Sequence, residues 1–111
     1  MIQLATEGCS IAMCDVNKDN MGETALRAAA AAPEGTKITT HLCDVAKEDE
    51  VLRFRDEVLA QHNTDHINLL FNNAGVGGGG SFITGDRKEW DRTFGICWAA
   101  CTTAPGRSCR C

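Results

Sequence analysis

Apolar residues gather in three short runs, and two of the three end on an aspartate. Cys9-Ser-Ile-Ala-Met-Cys14 leads into Asp15 and predicts a buried strand. Lys37-Ile-Thr-Thr-His-Leu-Cys43 carries β-branched residues, ends at Asp44 and predicts a second strand. His66-Ile-Asn-Leu-Leu-Phe71 predicts a third, at Ile67–Phe71, followed by Asn72-Asn-Ala-Gly75 and further glycines to Gly80. The intervening segments have helical patterns. Asn17 to Ala32 is rich in Ala, Leu and Glu, and Pro33-Glu-Gly35 stops it. Lys47 to Gln61 places Val51, Phe54, Val58 and Leu59 on one helical stripe. Asp86 to Cys97 reads as a further helix with Trp90, Phe94 and Cys97 on one face, the two aromatics assigned to the core. Met1 to Glu7 reads as the tail of a helix, with Gly8 as its C-terminal cap.

Strands alternating with helices predict an α/β unit with parallel strands covered on both faces. At 111 residues the chain suits one small domain. Its 23% charged content is ordinary for a globular protein, and a net charge of −4 leaves no basic footprint for nucleic acid. No apolar run approaches the length of a membrane span, and no signal-peptide pattern opens the sequence. Seven cysteines suggest a disulfide framework until their positions are read. Cys9, Cys14 and Cys43 lie within or beside strand-like runs, whereas Cys97, Cys101, Cys109 and Cys111 crowd the last fifteen residues. The odd count and the absence of a glycosylation sequon point to a reducing cytoplasm. Neither the terminal cysteines nor His41, His62 and His66 have metal-ligand spacing.

An aspartate at the carboxyl end of a strand stands where open α/β sheets bind ligands. There Asp15 can accept hydrogen bonds from both hydroxyls of a ribose and repel a 2′-phosphate. It can equally be a turn or capping residue. Asp44-Val45 has the same two readings: a contact to an adenine, or a cap for the helix starting near Lys47. Gly75-Val-Gly-Gly-Gly-Gly80 formally satisfies G-x-G-x-x-G, but a dinucleotide fingerprint opens a helix at once and Ser81 to Gly85 intervenes. We therefore reject it as a phosphate loop. Asn72, Asn73, Ala74 and Gly75 differ in kind. Paired amides can tie neighbouring segments together while the small residues let a flat ring approach the backbone; taken as pattern alone, they form a polar turn.

Taken together, Asp15, Asp44-Val45, Ile67-Asn-Leu-Leu-Phe-Asn-Asn-Ala-Gly75 and Glu89-Trp90-Asp91-Arg92 resemble the short-chain dehydrogenase/reductase family from about Leu4 to Trp98. The resemblance implies a partial Rossmann-like parallel sheet holding the second to fourth family strands, with flanking helices. It also implies hydride transfer between a nicotinamide dinucleotide and a small alcohol or carbonyl substrate, in a family that is usually homo-oligomeric. By that likeness Asp15 would bind the adenosine ribose and favour NAD over NADP. Asp44 and Val45 would flank the adenine, and Asn72, Asn73, Ala74 and Gly75 would line the cofactor. The family's first strand and its phosphate loop are expected before Met1. Its catalytic Ser and Tyr-x-x-x-Lys pair are expected after the last helix, yet the chain contains no tyrosine. Cys97 stands where the family usually has a catalytic Asn. The resulting expectation is a partial nucleotide-binding domain at 1–98, an interior piece of an oxidoreductase that is inactive as this chain. A small nucleotide-binding or interaction module without catalysis is the alternative, and a cysteine-rich metal-binding tail is a third reading.

Residues 99–111 break the family pattern. Inserting one G after the Trp98 codon in a permitted back-translation converts the tail to Trp-Gly-Gly-Val-Tyr-Tyr-Ser-Thr-Arg-Ala-Phe-Leu-Pro-Leu, which resembles the family's continuation. The tail is therefore expected to be irregular and out of frame, its cysteines without ligand or redox role.

Overall fold

The computed structural model describes residues 1–76 and 85–99. Its elements run α1 (Ile2–Thr6), β1 (Ile11–Asp15), α2 (Lys18–Ala31), β2 (Ile38–Leu42), α3 (Glu48–His62) and α4 (Arg87–Phe94), the last continuing into a π-helical turn at Gly95–Ala99. Each helix begins or ends on a residue suited to it. After α1, the Gly8 amide donates to the Ala5 carbonyl at 3.0 Å and the Cys9 amide to the Leu4 carbonyl at 3.1 Å. That pair of bonds is a Schellman closure, and it needs the left-handed backbone that Gly8 adopts at φ +83°. Asn17 caps α2 by accepting from the Asn20 amide at 3.1 Å. Ala32 turns extended before Pro33 and stops the helix. Asn63, in the left-handed region at φ 49°, ends α3.

β1 and β2 are adjacent and parallel, in register from Ile11↔Ile38 to Asp15↔Leu42. Side chains alternate across the pair, so Cys14, Thr39, His41 and Cys43 share one face. His41 meets Glu57 and Phe54 of α3 on that face. Met13 points the other way, toward Met21 of α2. The buried apolar residues are Ala5, Met13, Met21, Ala28, Cys43, Val51 and Val58, a core of small and medium side chains distributed over α1, α2, α3 and the strand pair. Among the described residues, no helix is long and apolar enough to cross a membrane.

Two expectations are corrected here. The run Ile67–Phe71 is not a strand. Ile67, Leu69, Leu70 and Phe71 are 46–66% exposed, and no ladder holds them. A strand exists through its hydrogen-bonded neighbour, and among the described residues the sheet consists of β1 and β2 alone. A continuous apolar run records where burial is wanted, but it does not supply the neighbour. The second correction concerns Trp90 and Phe94, which lie at the surface. Their rings stack on each other with centroids 5.7 Å apart, and both are exposed. The expected helix Asp86–Cys97 also changes type, passing from α to π at Gly95. The glycines at 77–80 and the tail from 100 onward lie outside the described residues.

Candidate functional site

The carboxyl ends of two parallel neighbours point the same way, so the register that pairs Asp15 with Leu42 brings both strand-end turns to one edge of the molecule. The Asp15 carbonyl accepts from the Cys43 amide at 3.1 Å, which joins the two turns directly. Asp15 is exposed, and its Oδ1 accepts from the Asn17 amide at 2.9 Å. That bond makes the turn into α2, while the cap itself is Asn17. The turn reading of Asp15 is thus realised, in a geometry that still leaves the carboxylate at the surface.

Asp44 is not the cap of α3; Lys47 takes that position, without a side-chain capping bond. The Asp44 Oδ1 accepts from the Ala46 amide at 3.0 Å, and its carbonyl accepts from the Lys47 amide at 3.0 Å. Asp44 and Val45 are both half-buried. Asn72, Asn73, Ala74 and Gly75 are exposed in a segment without regular secondary structure. The π-helical turn touches both regions. The Cys97 thiol donates a weak bond to the Val76 carbonyl at 3.8 Å and lies 3.9 Å from where a Cβ on Gly75 would sit. A Cβ on Gly95 would sit 3.8 Å from that of Ala46. Thus Asp15 and Asp44-Val45 are brought together directly, and the Asn72–Gly75 segment reaches the Asp44–Ala46 turn through this π-helical turn.

Acidic side chains outnumber basic ones at this edge. α2 opens with Lys18 and Asp19, and α3 opens with Glu48, Asp49 and Glu50 behind the N-cap Lys47. Helix N-termini favour negative charge, and the acidic residues in the first turns of α2 and α3 supply it. A cleft of about 120 Å³ lies beside Asp15, lined by Met1, Met13, Cys14, Asn20, Met21 and Thr24. It is smaller than the roughly 300–1,000 Å³ of ordinary ligand pockets. Burial raises the Cys14 thiol, and the Cys43 thiol is pushed up to about 12, again chiefly by burial. Both stay protonated and act as small apolar groups rather than nucleophiles. Among the described residues, no group of three His, Cys, Asp or Glu is placed to hold a metal.

One cluster escaped sequence reasoning. His41 is 3% exposed, and its Nδ1 lies 2.7 Å from Glu57 Oε2 while its Nε2 lies 2.9 Å from Thr39 Oγ1. The same hydroxyl lies 2.8 Å from His62 Nε2, so Glu57, His41, Thr39 and His62 form one polar chain between β2 and α3. The signal was present in the spacing of α3. Glu57 and His62 lie three and eight residues beyond Phe54, on the side that turns toward the strand.

Comparison with known proteins places this geometry. The family model described as short chain dehydrogenase matches residues 1–104. The probable oxidoreductase EphD of Mycobacterium tuberculosis (strain ATCC 25618 / H37Rv) is 28% identical over 95 residues, spanning 86% of this chain and 15% of its own length. Dehydrogenase/reductase SDR family member 6 of Danio rerio is 30% identical over 96 residues, spanning 86% of this chain and 33% of its own. The chain thus spans a third or less of the length of these curated relatives. Among solved structures, a metagenomic short-chain oxidoreductase in complex with NADP superposes with a TM-score of 0.81 at 27% identity, over 93% of this chain and 45% of that one. NAD+-bound xylitol dehydrogenase gives a TM-score of 0.82 at 25% identity, over 93% of this chain and 38% of that one. With a family match over residues 1–104, nearly its whole length, the chain belongs to the short chain dehydrogenase family.

Proposed function

We propose that this chain carries the adenosine half of a nicotinamide-dinucleotide site from an oxidoreductase that acts on an alcohol or carbonyl group. The observation that carries the reading is the placement of Asp15 and Asp44-Val45 at one end of adjacent parallel strands. In this reading the Asp15 carboxylate accepts from the ribose hydroxyls, Asp44 and Val45 flank the adenine, and Asn72, Asn73, Ala74 and Gly75 line the far wall. When bound, the dinucleotide supplies the hydride chemistry; the residues of this chain bind and orient its adenosine end. The substrate is a small molecule, and NAD is the cofactor favoured by the acidic turns. A cytoplasmic, homo-oligomeric parent enzyme fits the same reading.

The 111 residues hold no tyrosine to act as a general acid. General acid–base groups contribute about 10²–10⁴-fold in rate, and the described residues offer no phosphate cradle to hold the dinucleotide. The chain alone is therefore expected to transfer no hydride to any alcohol or ketone, and to bind NAD no more tightly than roughly millimolar, a ~4 kcal/mol interaction. Nicotinamide absorbance with a panel of alcohols and ketones tests the first statement, and equilibrium dialysis tests the second. Turnover by the purified chain would overturn the reading. For residues 99–111 we retain the out-of-frame origin. Sequencing the locus through the Trp98 codon and beyond is expected to find a Ser and a Tyr-x-x-x-Lys in the alternative frame, and their absence would refute it.

A further inference from the structure

A single side chain of α3 holds the turn that follows β2. Glu50 is the third residue of α3, where a glutamate usually bonds back to the amide of the N-cap residue. Here it reaches further. Its Oε2 accepts from the Asp44 amide at 2.7 Å, and its Oε1 accepts from the Lys47 ammonium at 3.0 Å. The N-cap amide, that of Lys47, is already taken by the Asp44 carbonyl, and the Asp44 carboxylate holds the Ala46 amide. The bonds made by the Asp44, Ala46 and Lys47 amides and by the Lys47 ammonium thus all pass through Asp44 or Glu50.

We propose that Glu50 is a positioning residue for the base of the bound nucleotide, holding Asp44-Val45 in the one conformation that meets an adenine ring. The proposal rests on the reading of the site given above. Glu50 touches no nucleotide itself; it acts through the Asp44 amide. The groups facing it agree with a permanent charge at neutral pH. The Asp44 amide draws its carboxyl below the usual carboxylate range, the Lys47 ammonium and Arg53 add to this, and burial opposes it weakly. Glu48 and Asp49, in the same helical turn, make no such bond among those described, so they separate a clamp from a general preference for acid at a helix start.

The test uses the ¹⁵N-labelled 111-residue chain, with adenosine as the probe. In the wild-type chain the Asp44 amide proton is expected downfield and to shift at acid pH as Glu50 protonates. E50A should abolish that titration, lower exchange protection at the Asp44 and Ala46 amides, and weaken adenosine binding by about tenfold, the loss expected for one hydrogen bond to a charged group. E50Q keeps an oxygen for the Asp44 amide and should retain most of the affinity; D49A should change neither protection nor binding. Amides inside α3 serve as the internal check that the variants fold. Protected Asp44 and Ala46 amides in E50A, or equal effects from D49A, would overturn the clamp. Absence of any adenosine-induced shift in the wild-type chain would instead overturn the nucleotide reading, and with it the link from clamp to base.

Discussion

His41→Ala is expected to remove most of the folding stability of the chain. The ring is 3% exposed and sits edge-on to Phe54, with centroids 5.0 Å apart and an interplanar angle of 60°. Truncation removes that packing and two hydrogen bonds, a loss of about 2–4 kcal/mol by analogy with buried large-to-alanine changes. A small domain with one modest core has only ~3–5 kcal/mol to lose. Urea unfolding followed by circular dichroism measures the change, and a midpoint within error of wild type would refute the structural role. The same polar chain gives stability a pH dependence. Burial lowers His62 below the usual histidine value of 6.5, and the neighbouring Lys37 and His41 lower it further. The folded state therefore takes up this proton less readily than the unfolded state. The contribution is fully present above about pH 6.5 and is lost as pH falls through the depressed folded value. His62→Gln should flatten the dependence on the acid side of neutrality.

What could be read from the sequence, and what could not, divides along physical lines. β1 and β2 were legible because each is a short apolar run closed by an aspartate and separated by a helix of crossover length. Asp15 does end β1, whereas β2 stops at Leu42 and Asp44 lies two residues beyond it, because the polar residue marks where the chain must leave the sheet rather than the last ladder bond. The segment Ile67–Phe71 has equal apolar content and a different fate, because pairing is a property of two segments and a pattern describes one. Trp90 and Phe94 misled for a related reason. Their i, i+4 spacing records a common helix face, but whether that face is covered depends on what lies opposite it. His41 was passed over because a lone histidine in Thr-Thr-His-Leu has no spacing partner of its own. Its partners are on α3 and become visible only once the strand and helix are laid face to face. Glu50 was invisible in the same way. The capping-box rule looks three residues back, and this glutamate bonds six residues back.

Asp15 should set the cofactor preference of any enzyme that carries this segment intact, and the expected effect is large. The carboxylate is exposed at the end of β1 and fixed in direction by the Asn17 amide at 2.9 Å. A ribose diol can donate two hydrogen bonds to such a group. A 2′-phosphate would instead bring like charge against Asp15. Hydrogen bonds to a charged group are worth about 1.5–3 kcal/mol, so Asp15→Ala should lower kcat/KM with NAD by roughly 10–100-fold and narrow its advantage over NADP. Alanine, however, also loses the turn into α2. Asp15→Asn separates the two effects, because an asparagine oxygen can still accept from the Asn17 amide while the charge is gone. The Asn variant should keep the wild-type unfolding midpoint and yet accept NADP more readily. In the 111-residue chain itself, the same contrast is read by comparing adenosine with its 2′-monophosphate in amide-shift titrations. A wild-type preference for the phosphorylated ligand, or an Asn variant whose preference is unchanged, would remove Asp15 from the site and leave it as a turn residue only.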